Sequence, residues 1–344
     1  MKSWTIRLFQ DRISFELSLR YLVTALAWLA IALILFTVSL SAGSNWIPVS
    51  EVFQQLTGRI DTHTFVVESL RLPRALLAAL VGAALGVAGL ILQSLVRNPL
   101  ASPDIIGITS GASLGAVTCI TFATGVISMQ FLPLAAIAGG FGAALLIYLL
   151  SWNGGVTPVR LVLIGIGVAA IMKACVTFML VTSEAAVTTK SYIWLTGSVY
   201  ATTMSDVTSM LVWMAIPIPF LLLLGRGLNV SELGEEVSVS MGIRVELQRL
   251  IFLVCSVIFA GTAAAFAGGI EFVGLMAPHI ARRFVGRSFY GTAVITALIG
   301  ASIVLLADLV ARTAFLPQDI PGGVFTAAIG APFFIYLLFH SKNR

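Results

Sequence analysis

The chain has 344 residues, 58% of them hydrophobic and only 10% charged, with a mean hydropathy of +1.02. A soluble domain needs about 25% charged residues to solvate its surface, so a water-soluble globule and a disordered chain are both excluded. The net charge of +5 comes from scattered lysines and arginines with no basic stripe, which argues against a nucleic-acid partner.

Apolar runs begin after a twenty-residue lead. A helix needs about 20 residues to cross the hydrocarbon layer. Nine runs meet or approach that length: 21–40, 75–96, 105–127, 131–150, 161–181, 210–224, 250–270, 292–309 and 324–339. A tenth, 272–284, is short and interrupted by Pro278, so it needs tilt or shielding by neighbours. No run alternates polar and apolar residues as a barrel strand would. The sequence therefore predicts an all-α polytopic membrane protein of about ten transmembrane helices, with residues 1–344 forming a single transmembrane domain. Ser41-Ala42-Gly43 after the first run resembles a signal-peptide cleavage site, but the long lead and full-length apolar core argue for an uncleaved helix.

Ten spans with the N-terminus inside leave Arg59, Arg71, Arg74, Lys190 and Arg312 outside and Lys173 within a span; the other fourteen of the 20 basic residues fall inside. That bias favours cytoplasmic termini, with 1–20 and 226–249 as cytoplasmic segments. Gly82 and Gly86, then Gly107, Gly111 and Gly115, recur at four-residue spacing on successive spans. Such flat faces let backbones approach where lipid supplies no hydrophobic drive, either for static packing or for helix shifts along a substrate path. Cys119, Cys175 and Cys255 sit in apolar runs without ligand spacing, so they are packing residues and no metal site is expected.

No catalytic motif is present. None of the four lysines (Lys2, Lys173, Lys190, Lys342) follows a glycine, so the chain has no phosphate-binding loop. Active transport would draw on an ion gradient or a separate ATPase. An ion-coupled carrier needs ionisable groups at membrane depth, and the candidates are Lys173, Glu271, His279 and Asp308. Each has a plainer reading: Asp308 as an i,i+4 partner of Arg312, Glu271 as a solvated or capping group, His279 as a packed histidine. Lys173 either snorkels, pairs with Glu184 or a polar neighbour, or faces a path for an anionic substrate.

The segment 226–249 is the longest polar stretch. Ser231 is expected to cap a short helix whose first turns hold Glu232, Glu235 and Glu236, and Gly242 to end it before a new helix from Val245. This compact knob is either a solvated connector or a docking element for another protein.

Five stretches in order resemble the permease family of iron(III)–siderophore and vitamin B12 ABC importers. They are Arg71-Leu72-Pro73-Arg74; the run from Gln93 to Asp104, with Gly107 and Ser110-Gly111-Ala112; Leu233-Gly234-Glu235-Glu236 with Met241-Gly242; the run from Phe272 to Arg282; and Pro321 to Thr326 with Gly330. Asn153-Gly154, the run Arg160 to Gly167 and Ala277 to Arg283 are similar to enterobactin-type permeases. The resemblance implies the type II ABC importer permease fold, two permease chains (identical or sister), two ATPase subunits that use ATP, and an extracytoplasmic binding protein delivering a ferric siderophore. It also implies a place in the bacterial inner membrane and no cofactor on this chain. Arg71, Arg74 and Arg312 match outward-facing arginines that dock the binding protein. Leu233, Gly234, Glu235, Glu236 and Gly242 match the ATPase-coupling helices, and Asn98, Leu100 and Thr157 match the cytoplasmic gate. The competing expectation is an ion-coupled secondary transporter using Lys173, His279 or Asp308.

Overall fold

The computed structural model describes residues 3–8, 13–122, 131–231, 234–286 and 288–341. After an N-terminal antiparallel hairpin, β1 (Ser3–Leu8) and β2 (Ile13–Ser18), the described chain is nearly all helix. Next come α1 (Leu19–Ser41), the short α2 (Val49–Leu56) and a π-helical turn (Phe65–Arg71) that runs straight into α3 (Leu72–Val96). Then come α4 (Pro103–Ile106), α5 (Ile108–Phe122), α6 (Leu132–Ser151), α7 (Pro158–Thr182), α8 (Ala185–Leu195), α9 (Met204–Ala215) and α10 (Ile218–Ser231). The chain closes with α11 (Glu235–Ser240), α12 (Val245–Ala267), α13 (Val273–Val285), α14 (Phe289–Thr313) and α15 (Gly322–Ser341).

Among the described residues, seven helices, or helix continuations, are long and apolar enough to cross a membrane, and α9 with α10, bent by 42° at their break, makes an eighth when the pair is taken as one span. The shorter α5 and α13 occupy the two remaining predicted positions, so about ten spans describes the bundle. The bend explains why the apolar run 210–224 is shorter than the span it marks. Pro217 sits in the break and lacks the N–H that an unbroken helix requires. Gly107, at φ +97°, likewise splits the third span into α4 and α5. Prolines in the first turns of α3, α6 and α7 suit positions whose N–H has no helical acceptor.

The centre of the bundle is α3, packed against α12, α13 and α14. In the most apolar window of the span Phe65–Val96, 72% of residues are buried, as in α12; in α7 and α15 the figure is 28%, and in α1 it is 6%. The glycine faces account for the tight centre. A Cβ on Gly82 would overlap the Gly300 carbonyl of α14, and one on Gly89 would overlap the Gly274 carbonyl of α13. Gly111 and Gly115 of α5 meet Gly139 and Ala135 of α6 in the same way. These backbones approach as closely as hydrogen side chains permit, which is how packing is gained in lipid. Among the described residues, α7 and α15 keep wide uncovered apolar faces, including Ile171, Phe178, Ile329 and Ile335.

Candidate functional site

Three regions hold most residues singled out by sequence: a rim where α1 ends and α3 begins, the exposed face of α7, and the opposite end, which carries α11.

At the rim that holds Arg71, Arg74 and Arg312, the guanidiniums are engaged within the chain. Arg71 is 7% exposed and Arg312 is 8% exposed. Arg71 donates from Nη1 to the Leu40 and Ser41 carbonyls (2.8 and 2.7 Å) and from Nη2 to the Asn45 carbonyl (2.7 Å). Arg312 donates to the Ala42 carbonyl (3.0 Å), to the Ser39 carbonyl and to Ser39 Oγ (2.7 Å). The cause is local. The last turn of a helix leaves carbonyls without intrahelical donors, and the planar five-donor guanidinium satisfies several at once. The end of α1 is therefore capped by arginines from α3's entry turn and from α14. Gly43 leaves room for this, since a Cβ there would lie 2.5 Å from Arg71 Nη2.

Arg74 is held by carboxylates. Its Nε donates to both oxygens of Asp308 (3.0 and 3.2 Å), and Nη1 and Nη2 donate to Asp319 (2.6 and 2.9 Å). The guanidinium also lies 5.7 Å from the ring centre of Tyr200. Asp308 is fully enclosed, with its side chain 2% exposed, whereas that of Asp319 is 30% exposed. The expected Asp308–Arg312 pair is present at 3.6 Å, but Asp308 is bound more closely by Arg74. Asp319 has no place in the sequence reading. It lies 245 residues from Arg74 in the chain, and only an acidic residue beside the Pro321 motif hinted at it.

On α7, Lys173 is exposed rather than enclosed, and among the described residues no ion pair joins it to Glu184. A groove of about 960 Å³ opens between α5 and α7, lined by Phe122, Ile171, Cys175, Phe178 and Glu184 among others. Asp104, in α4, makes contacts that the sequence did not reveal. It accepts from Thr109 Oγ1 (3.0 Å) and from the Phe272 N–H (3.3 Å), holding α4 to the turn before α13, where Phe272 adopts φ +66°. His279 packs edge-on against Phe333 (5.7 Å), as its structural reading expected.

At the α11 end, Asn98 Oδ1 accepts from the Leu100 N–H (2.9 Å), which shapes the turn from α3 to α4. Thr157 precedes α7 as its N-cap residue but makes no side-chain cap bond. Leu233 and Glu232 lie outside the described residues. Gly234 (φ +128°) precedes α11, Glu235 and Glu236 form its first turn, and Gly242 (φ +78°) follows it before α12 begins. Ser231 does not cap α11. It is the last residue of α10, and its hydroxyl donates back to the Gly227 carbonyl (2.7 Å), the usual competing bond for a helical serine. Arg249 ties the knob down: it pairs with Glu235 (3.4 Å) and Glu246 (2.8 Å) and donates to the Val156 carbonyl, just ahead of Thr157. No group of three or more His, Cys, Asp or Glu that could hold a metal occurs among the described residues.

A many-span helical bundle without a nucleotide loop, closed at one face by a charge cluster and carrying a short helix between spans at the other, defines the membrane subunit of a transporter. The chain belongs to the FecCD transport family, whose model matches residues 31–340. It is 44% identical over 335 residues to the achromobactin transport system permease protein CbrC of Dickeya dadantii, covering 97% of this chain and 96% of that protein. Identity to the ferric enterobactin transport system permease protein FepG of Escherichia coli is 36% over 329 residues, covering 95% and 98%. A solved transporter described as of metal-chelate ABC type, in an inward-facing conformation, superposes with a TM-score of 0.81 at 30% identity, covering 93% and 99%. The chain is thus a multi-pass inner-membrane permease subunit of an ABC transporter, not an enzyme, and the family implies ATPase and substrate-binding partners.

Proposed function

We propose that this permease passes an iron(III)–siderophore complex across the cytoplasmic membrane, driven by ATP hydrolysis on a separate ATPase. The observation that carries the substrate class is the agreement of the relatives: systems for achromobactin, ferric hydroxamate, ferric citrate and ferric enterobactin all contain a permease like this one. The missing phosphate-binding loop supports a motor on another chain. The ligand moves as its chelate, so this chain supplies no metal ligands and no cofactor.

Two permease chains flank the path in this reading. Partnership with a sister chain is supported by Bacillus subtilis, in which two different proteins, YfmE and YfmD, are both named as permeases of a ferric citrate import system. The uncovered faces of α7 and α15 are the surfaces left for that partner and for the path, with Lys173 facing it. Both termini and the α11 knob are placed on the cytoplasmic side by the arginine and lysine bias. The knob residues Leu233, Gly234, Glu235, Glu236 and Gly242 seat against the ATPase. Arg249 carries their movement to Val156 and so to the start of α7, beside the gate residues Thr157, Asn98 and Leu100. The binding protein docks on the outer rim. Arg71 and Arg312 shape that rim through α1, and Arg74, with the half-exposed Asp319, forms its edge. Nucleotide binding then shifts the bundle between two states in proportion to the ATPase's differential affinity for them.

The test is uptake of radiolabelled iron in cells lacking this chain and in cells with it restored. Ferric achromobactin, enterobactin, hydroxamate and citrate are each supplied, with the ion gradient collapsed and ATP retained. Restoration of uptake for one of these chelates, dependent on the ATPase, is expected. Uptake that persists with the ATPase deleted sinks the reading.

A further inference from the structure

We infer that the groove between α10 and α12 is a binding site for the headgroup of an anionic phospholipid. The groove encloses about 370 Å³, and its wall includes Leu223, Val230, Leu247 and Ile251 together with Arg226 and Arg244. It lies where two spans leave the hydrocarbon: α10 ends at Ser231 and α12 begins at Val245. Leu223 is 64% exposed and Leu247 is 49% exposed, so the apolar side of the groove is open to lipid along both helices. Gln248 Nε2 donates to the Leu224 carbonyl (3.3 Å) across the groove, and its side chain fills the space left by Gly227, which fixes the two helices at this separation.

Charge selects the ligand. The neighbouring Arg249 is taken up by Glu235, Glu246 and the Val156 carbonyl. Arg244, five residues earlier, forms no ion pair among the described residues and stands exposed at the mouth of the groove. The exposed Arg244 guanidinium over an apolar wall, with Arg226 in the same lining, fits a ligand with an anionic, oxygen-rich head and a hydrocarbon tail. A phosphodiester meets the first requirement by accepting paired N–H bonds, and acyl chains meet the second. A hydrated free anion gains nothing from the leucines, and a zwitterionic headgroup brings its own cation to the arginines. Basic pockets between spans at a membrane surface have this chemistry. The site adjoins α11, so a lipid seated there braces the two helices from which the knob hangs. The inference does not depend on what the transporter carries.

The experiment uses the assembled transporter purified in detergent, with phospholipid retention counted by native mass spectrometry. Titration is with phosphatidylglycerol or phosphatidylcholine, and inorganic phosphate serves as competitor. The wild type is expected to retain phosphatidylglycerol over phosphatidylcholine, and R226Q/R244Q is expected to lose roughly tenfold or more of that preference. Arg20→Gln, at a different helix end, keeps the wild-type preference. Equal retention by wild type and R226Q/R244Q overturns the proposal, and so does displacement of the lipid by inorganic phosphate, which marks a soluble-anion site. If the double variant does not assemble, R244Q alone decides: this residue is exposed, and an unchanged lipid preference overturns the proposal.

Discussion

The two ends of the molecule use arginine in opposite ways. At the rim where α1 ends, Arg71, Arg74 and Arg312 are largely enclosed and each makes three or more polar contacts, so they act as fixed struts between α1, α3 and α14. At the α11 end, one arginine, Arg249, reaches a helix whose acidic partner Glu235 has its side chain 55% exposed, and the rest of the knob hangs between two positive-φ glycines. The difference separates an end built to hold its shape from an end built to be moved. An enclosed ion pair is costly to break because the surviving charge is stranded, whereas an exposed pair contributes little.

The sharpest way to break the contrast is Asp308→Ala. It leaves Arg74 and Arg312 short of an enclosed counter-charge, and a loss of about 3–5 kcal/mol is expected. The measurement is thermal unfolding of the purified permease, and a change below about 1 kcal/mol would show that the rim is not a strut. Next is Gly82→Val, which drives a branched side chain into the Gly300 carbonyl. Overpacking of about 1–3 kcal/mol or more should lower the yield of folded protein in membranes, while Gly142→Val, which faces open space, should not. At the moving end, Gly242→Ala meets nothing within 4 Å, so its penalty is conformational, about 1–2 kcal/mol for holding φ +78°. Unfolding should shift by no more than that, while ATP-dependent uptake falls several-fold; uptake equal to wild type would remove Gly242 from the coupling path. The smallest effect is Glu235→Gln, which removes an exposed pair and should shift stability by well under about 1 kcal/mol.

Much of the bundle was legible because hydropathy is additive along a chain: each of the ten apolar runs marks a helix in the structure. The bend at Pro217 was less visible, because a proline within an apolar run reads equally as a kink or an end. The glycine spacings correctly signalled close approach but not its partners, since Gly300 and Gly274 are set by the three-dimensional arrangement. At the candidate site, the sequence brought the three arginines to one rim but not to their partners. A sequence shows where guanidiniums are but not the free carbonyls at the end of α1, and those carbonyls are what turn Arg71 and Arg312 inward. Ser231 misled in the same manner, because its hydroxyl found an acceptor within its own helix. Asp104 and Asp319 went unassigned because their partners, Phe272 and Arg74, are more than 160 residues away.

The capping of α1 by main-chain oxygens has a consequence for how this rim can drift. Carbonyls at 39–42 and 45 exist whatever side chains stand there, so the exposed Asn45 can be exchanged with little penalty as long as the chain keeps its path, whereas Ser39 to Ala42 are held by burial and Ser39 also offers its hydroxyl to Arg312. Positions 71 and 312 have no such latitude, since lysine offers one ammonium where a guanidinium serves three oxygens. A saturation library should therefore return a permissive acceptor at position 45 facing an intolerant donor at 71, a lopsidedness that an ordinary side-chain salt bridge would not produce.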